Sequence, residues 1–211
     1  MEGKKNDCYN ILLEKCNNAK KVILLDGDIS NRSKTFISHL ENSNTKYIVN
    51  NKQKLQYNFQ YVGQHEFFNS QIDDCLKNGK NIAIVSMDAS MAISYYDKYK
   101  NKYNSVLYTG NTDDKEKKRL AVVNEVWSDK RLIVYSPAIE AGVDFNINHV
   151  NKIFVILSSS SSLKYCSTSQ RGLMQMIARI RQFDDKNILV YKKWQESILL
   201  AYLINKTTSF H

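Results

Sequence analysis

Short apolar runs and stretches of helical spacing alternate along most of the chain. From residue 81 onward the runs are Asn81–Val85, Ser105–Tyr108, Arg131–Tyr135, Val150–Leu157 and Asn187–Tyr191. Continuous apolar runs of this length, bounded by polar turns, are those of strands buried on both faces. Helical spacing covers Ala89–Tyr99, Asp113–Trp127, Ser167–Arg181 and Trp194–Ile204. Upstream, Tyr57–Val62 reads as a strand, and Gln64–Leu76 has helical spacing at Phe67, Phe68, Ile72, Cys75 and Leu76. Further upstream, residues 7–17 and Ser33–Leu40 have helical character. Val22–Leu25 reads as a buried strand feeding a loop at Asp26-Gly27-Asp28, and Tyr47–Val49 as another strand. Strands separated by helices of ten or more residues imply βαβ units. Right-handed crossovers then place helices on both faces of a parallel sheet. The predicted fold is α/β, three-layered, with a mostly parallel central sheet. Residues 1–50 read as the end of a preceding domain or a hinge, and 51–211 as a compact α/β domain.

Composition narrows the class. At 43% hydrophobic, the 211 residues can build a core, which excludes a disordered chain. Seven Gly and one Pro exclude collagen-like and linker character. No run approaches the ~18 apolar residues of a membrane span, so no membrane partner is expected. The polar start lacks an apolar signal region. Cys8, Cys16, Cys75 and Cys166 form no C-x-x-C pair, which points to reduced thiols in an intracellular compartment. His39, His65, His149 and His211 form no pair at metal-ligand spacing, so no metal site is expected. Thirty Lys+Arg against 21 Asp+Glu leave a net charge of +9, which suits a polyanionic partner.

Ligands of open α/β sheets bind beyond the carboxyl ends of strands. Four polar segments follow strands here. One strand ends at Ser86, one at Thr109-Gly110, and one at Ser136 in SPAIEAGVDF. The fourth follows the Ser158–Ser162 run and reads QRGLMQMIARIRQ. At about 100° per residue, Arg171, Gln175, Arg179 and Gln182 share one face of a continuous helix, with Arg181 beside it. Paired guanidiniums suit phosphate oxygens. Hydroxyls and a glycine at strand ends suit a nucleic-acid backbone.

The order of these segments resembles the second RecA-like domain of a superfamily 2 helicase. SPAIEAGVDF resembles motif V, QMIARIRQ motif VI, and NIAIVS motif IV; LYTGNTDDKEKKRL resembles the strand, turn and helix that follow motif IV. The likeness spans residues 20–192 and is greatest to the herpesvirus origin-binding-protein helicases and their relatives in large DNA viruses. VILLDGDIS, with Asp26 and Asp28, would be the Asp-x-Asp strand that closes the first helicase domain. Two departures stand out: Ala178 replaces the usual glycine of motif VI, and Gln182 stands where a second arginine is common.

The resemblance implies an ATP-dependent DNA helicase or translocase used in viral DNA replication, working at the host-cell site of that replication. Arg179 and Arg181 would be arginine fingers, and Gln175 a contact to the γ-phosphate or attacking water. Glu140, Gly142 and Asp144 would line the ATP cleft. Ser86, Thr109, Gly110 and Ser136 would follow the phosphates of single-stranded or forked DNA. The sequence contains no G-x-x-x-x-G-K-[ST] loop. ATP and Mg2+ therefore belong to a complete enzyme whose N-terminal RecA-like domain is the partner, and this segment alone is expected to bind ATP poorly, to hold no cofactor tightly and not to hydrolyse ATP.

Two other readings compete. One is a non-catalytic RecA-like module that docks nucleic acid or a primase. The other is a phosphatase resembling the haloacid dehalogenases, with Asp26 as nucleophile, Asp28 as acid and Asp184-Asp185 as the metal-binding pair.

Overall fold

The structure is a computed structural model that describes residues 2–25, 31–41, 44–48, 57–137, 139, 143–157 and 170–192. It divides into two compact units, residues 1–54 and 55–211.

The second unit is built on a six-stranded, all-parallel sheet. Its elements in chain order are β1 (Asn58–Val62), α3 (His65–Lys77), β2 (Ile82–Ser86), α4 (Ala89–Tyr99), β3 (Ser105–Tyr108), α5 (Asp114–Arg119), α6 (Val123–Trp127), β4 (Leu132–Tyr135), β5 (Val150–Leu157), α7 (Gln170–Ile177) and β6 (Phe183–Lys192). The spatial order is β1-β6-β5-β2-β4-β3. Central β2 and β4 are buried along their whole length, as their unbroken apolar runs require. Side chains alternate across the sheet. Ile82, Ile84, Leu132, Val134, Phe154 and Ile156 pack against α3 and α4 on one face. Ala83, Val85, Ile133, Tyr135, Ile153 and Val155 pack against α6 and α7 on the other. This is the three-layer α/β architecture the pattern implies.

Local chemistry sets the ends of these elements. The Asp88 carboxylate caps α4 by accepting the Ser90 and Met91 amides. Past the end of α3, Gly79 takes φ +78°, a left-handed conformation that glycine adopts without strain. The Arg131 guanidinium closes the same turn by donating to the Leu76 and Gly79 carbonyls.

Three elements differ from the sequence pattern. The single helix expected over Asp113–Trp127 is broken into α5, a 3-10 turn at Leu120–Val122, and α6. Val122 leaves the helical region at φ −116°, ψ 43°, which exposes Val122 and turns Val123 into the core. The helix expected over Ser167–Arg181 ends at Ile177, for reasons given below. In the first unit, α1 (Glu2–Asn17) and α2 (Asn31–Ser38) form, but Val22–Leu25 and residues 44–48 belong to no strand. Leu25 is 91% exposed and Ile48 94%. A strand needs a neighbour to satisfy its amides and carbonyls, and no described segment supplies one here. The Asp26–Asp28 element, Val49, Trp194–Ile204 and Cys166 lie outside the described residues.

Candidate functional site

Parallel strands bring their carboxyl ends to one edge of the sheet. Val85 pairs with Tyr135, and Tyr135 with Tyr108. The next residue on each strand is Ser86, Ser136 and Thr109, so the three expected hydroxyls stand in a row across β2, β4 and β3. Neighbouring strands lie about 4.8 Å apart, which sets the spacing of the row.

The row is buried: Ser86 is 0% exposed, Ser136 2% and Thr109 4%. Ser86 Oγ donates to the Asp88 carbonyl at 2.7 Å and accepts the Asp88 amide at 3.1 Å. Thr109 Oγ1 accepts the Asn111 amide, and the Thr109 amide donates to Thr112 Oγ1. These hydroxyls shape the loops, and the exposed crest is Gly110-Asn111. Lys117 Nζ reaches back from α5 to the Gly110 carbonyl at 3.0 Å. A Cβ on Gly110 would meet nothing within 4 Å, so the fold itself leaves this position open.

The second cluster lies toward the opposite edge, just ahead of β6. Phe145, at the end of the motif V-like loop, forms a parallel bridge with Ile180. The Phe145 amide donates to the Arg179 carbonyl at 2.8 Å, and the Arg181 amide to the Phe145 carbonyl at 2.8 Å. This lacing ends the helix. Arg179 and Ile180 make short i→i−3 bonds to Met176 and Ile177, and the chain then runs extended. Arg171 and Gln175 therefore sit on α7, whereas Arg179 and Gln182 lie beyond it, and the four do not share a helical face. Arg179 and Arg181 instead flank the buried Ile180 in the manner of a strand.

The loop holds both guanidiniums. Arg179 Nη1 donates to the Val143 carbonyl at 3.2 Å. Arg181 Nε donates to Asp144 Oδ1. The Arg181–Asp144 pair is half-exposed, at 51% and 58% for the two side chains, so it contributes no more than about 1 kcal/mol to stability. Beneath, the Tyr135 hydroxyl donates to the Met176 carbonyl at 3.0 Å and ties β4 to α7. Burial pushes the Tyr135 phenol far up, partly opposed by the Arg179 charge, so it stays a neutral donor.

The remaining candidates are dispersed. Gln175 is exposed on α7. Glu140 and Gly142 lie outside the described residues. Asp184 and Asp185 open β6 at the amino edge of the sheet, with Asn151 donating to Asp184 at 2.6 Å and Lys152 to Asp185 at 2.7 Å. The acidic pair of the phosphatase reading is thus held by neighbours on the edge away from strand ends. Among the described residues, no three His, Cys, Asp or Glu side chains group to hold a metal. No described helix is long and apolar enough to cross a membrane.

The motif V-like loop and the arginine pair, in this order and laced together, invite comparison with known proteins. The profile of the family described as "Origin of replication binding protein" matches residues 24–198. The chain belongs to that family. It is 39% identical over 187 residues to a protein of Acanthamoeba polyphaga mimivirus described as a replication origin-binding protein, covering 87% of this chain and 22% of that one. It is 32% identical over 206 residues to an uncharacterized helicase of the same virus, covering 94% and 19%. The chain thus spans about a fifth of these relatives. Among solved structures it is similar to S. cerevisiae Dbp5 bound to RNA and ADP BeF3, with a TM-score of 0.61, 15% identity, and coverage of 99% of this chain and 54% of that one. At that identity the likeness shows the fold, which is that of a helicase-type RecA-like domain.

Two parts of this family member's site escaped the sequence reading: the Val143 carbonyl and the Phe145–Ile180 bridge. Their signal was present. Val143-Asp144-Phe145 and Arg179-Ile180-Arg181 each alternate between apolar and charged side chains, the period of a strand and not of a helix.

Proposed function

We propose that the chain is the second RecA-like half of an ATP-driven nucleic-acid helicase or translocase of viral DNA replication. The observation that carries this is the bridge that sets Arg179 and Arg181 side by side, at a distance from the loop crests at the carboxyl edge. A half-exposed guanidinium, that of Arg181, beside the partly buried one of Arg179 on the same main-chain anchor fits a polyphosphate. ATP, when bound in the complete enzyme, supplies the phosphoanhydride whose cleavage drives the cycle. Arg179 and Arg181 would contact its phosphates. Mg2+ is assigned to the partner domain. At the other edge, Gly110, Asn111 and Lys117 would meet the phosphates of single-stranded or forked DNA, over loops held by the Ser86 and Thr109 hydroxyls and beside the buried Ser136.

The test is fluorescence anisotropy of a labelled single-stranded oligonucleotide at ~50 and ~200 mM salt. Lys117 is the cation named at this edge, and one neutralised phosphate on a single strand predicts a fall in affinity of about 2.6-fold between these salts. Lys117→Ala should weaken binding at the lower salt and shallow the log–log slope, while Arg179→Ala leaves it unchanged. Salt-insensitive binding, or loss in Arg179→Ala, defeats the two-edge reading.

For the first unit, we propose that it docks on the open sheet of the N-terminal RecA-like domain. Its exposed apolar segments support this, together with a shallow hollow of about 630 Å³ lined by Tyr9, Leu12, Leu24, Leu25, Phe36 and Ile37. Such a patch on a surface marks an interaction site. A separately produced N-terminal RecA-like domain of the complete protein is the probe. Size-exclusion chromatography with light scattering should show a 1:1 complex that Leu25→Asp with Ile48→Asp abolishes. A complex indifferent to both changes would overturn this assignment.

A further inference from the structure

We infer that Asp144 is a positioning residue for Arg181: its carboxylate holds the guanidinium by Nε and leaves the terminal Nη groups to face a polyphosphate. This rests on the reading of the arginine pair as phosphate ligands and supplies what that reading leaves open, namely how a half-exposed arginine is aimed. It also moves Asp144 from the cleft lining expected in the sequence to a post behind the arginine.

The geometry begins with the main chain. The Phe145–Ile180 bridge fixes Asp144 and Arg181 within reach of each other whatever their side chains do. Val143 and Phe145 are buried on either side, so Asp144 is forced outward. There it accepts from Arg181 Nε. An arginine carries five N–H donors, and a hold through Nε leaves the four on the Nη groups for another acceptor. Arg179 is steadied by the same loop through the Val143 carbonyl. One three-residue segment therefore orients both guanidiniums, by a carbonyl for one and a carboxylate for the other.

Stability does not account for the carboxylate. The bridge already joins loop and arginine segment through two main-chain bonds. Both partners of the ion pair are half-exposed, and pairs of that kind add little to folding. A lone carboxylate beside a phosphate site would repel the ligand. Bonded to Nε it is neutralised, and it restrains a side chain that otherwise loses much rotamer freedom on binding.

The experiment is a titration of the 211-residue chain with inorganic tripolyphosphate, followed by NMR of the arginine side-chain N–H groups. In the unmodified chain, Arg181 Nε–H should be protected from exchange, and tripolyphosphate should shift the Arg179 and Arg181 signals together. Asp144→Ala should abolish the Nε–H protection and weaken binding about five-fold, with an unchanged unfolding midpoint. Asp144→Glu should restore both. A merely structural role would move the midpoint and leave tripolyphosphate binding by the folded chain unchanged. Equal or tighter binding by Asp144→Ala overturns the inference, because the carboxylate would then be neutral or inhibitory. If tripolyphosphate shifts neither arginine in the unmodified chain, the arginine-pair reading falls first. If it shifts both and Asp144 is without effect, only the positioning role falls.

Discussion

Arg179→Ala is expected, on the proposed arginine-finger role, to cut ATP turnover of the complete protein by about 10³-fold or more. The expectation rests on how Arg179 is held. Its main chain is clamped by the Phe145 amide, and its Nη1 by the Val143 carbonyl. A group fixed this firmly loses little freedom when charge builds on a phosphate, which is where preorganised cations are most effective. The substitution removes the charge and spares the bridge, whose bonds are main chain. Unfolding of the chain should therefore shift little, and oligonucleotide binding not at all. Steady-state ATPase of the reconstituted two-domain enzyme checks the first point, and thermal unfolding with anisotropy the others. Arg179→Lys keeps the charge but not the fork, and should recover only a small part of the rate. Turnover within ten-fold of normal in Arg179→Ala would remove Arg179 from the catalytic machinery.

Trp127→Ala is expected to give the largest loss of stability, about 3–5 kcal/mol. Trp127 is fully buried at the end of α6. Its ring stacks on Tyr135 with centroids 5.7 Å apart, and it meets Phe145 at 5.5 Å and Tyr108 at 6.0 Å. One side chain thus joins β3, β4, α6 and the residue that bridges to Ile180. Truncation leaves a cavity that four elements would have to close together, and dense interiors relax only in part. Urea unfolding followed by circular dichroism reads the effect directly. Because Phe145 loses a packing partner, the Arg179–Arg181 segment should also become more mobile, seen as faster exchange of the Phe145 and Arg181 amides. A change under 1 kcal/mol would mean that this corner is not a keystone of the fold.

The sheet was legible in the sequence because a strand buried on both faces leaves an unbroken apolar run, as in Ile82–Ser86 and Leu132–Tyr135. Parallel connection followed from the helices between the runs. The motif order followed too, since the glycine, aspartate and arginines stand in one line of text. The helical face of Arg171, Gln175, Arg179 and Gln182 was an illusion of periodicity. A helix continues only while its amides find carbonyls four residues back, and here the Arg181 amide bonds instead to the Phe145 carbonyl, 36 residues away in sequence, while the Arg179 carbonyl accepts the Phe145 amide. The hydroxyls were found at the right strand ends, but register and burial, which no local pattern encodes, turned them inward to build the loops. Val22–Leu25 shows the converse. Its composition is that of a central strand, yet strand formation is a pairing event, and no partner lies among the described residues. Composition and spacing set which segments can be strands, which residues can carry charge to a phosphate, and in what order they come. Which of them meet is set by the folded chain, because hydrogen-bond pairing and burial are long-range events between residues far apart in sequence.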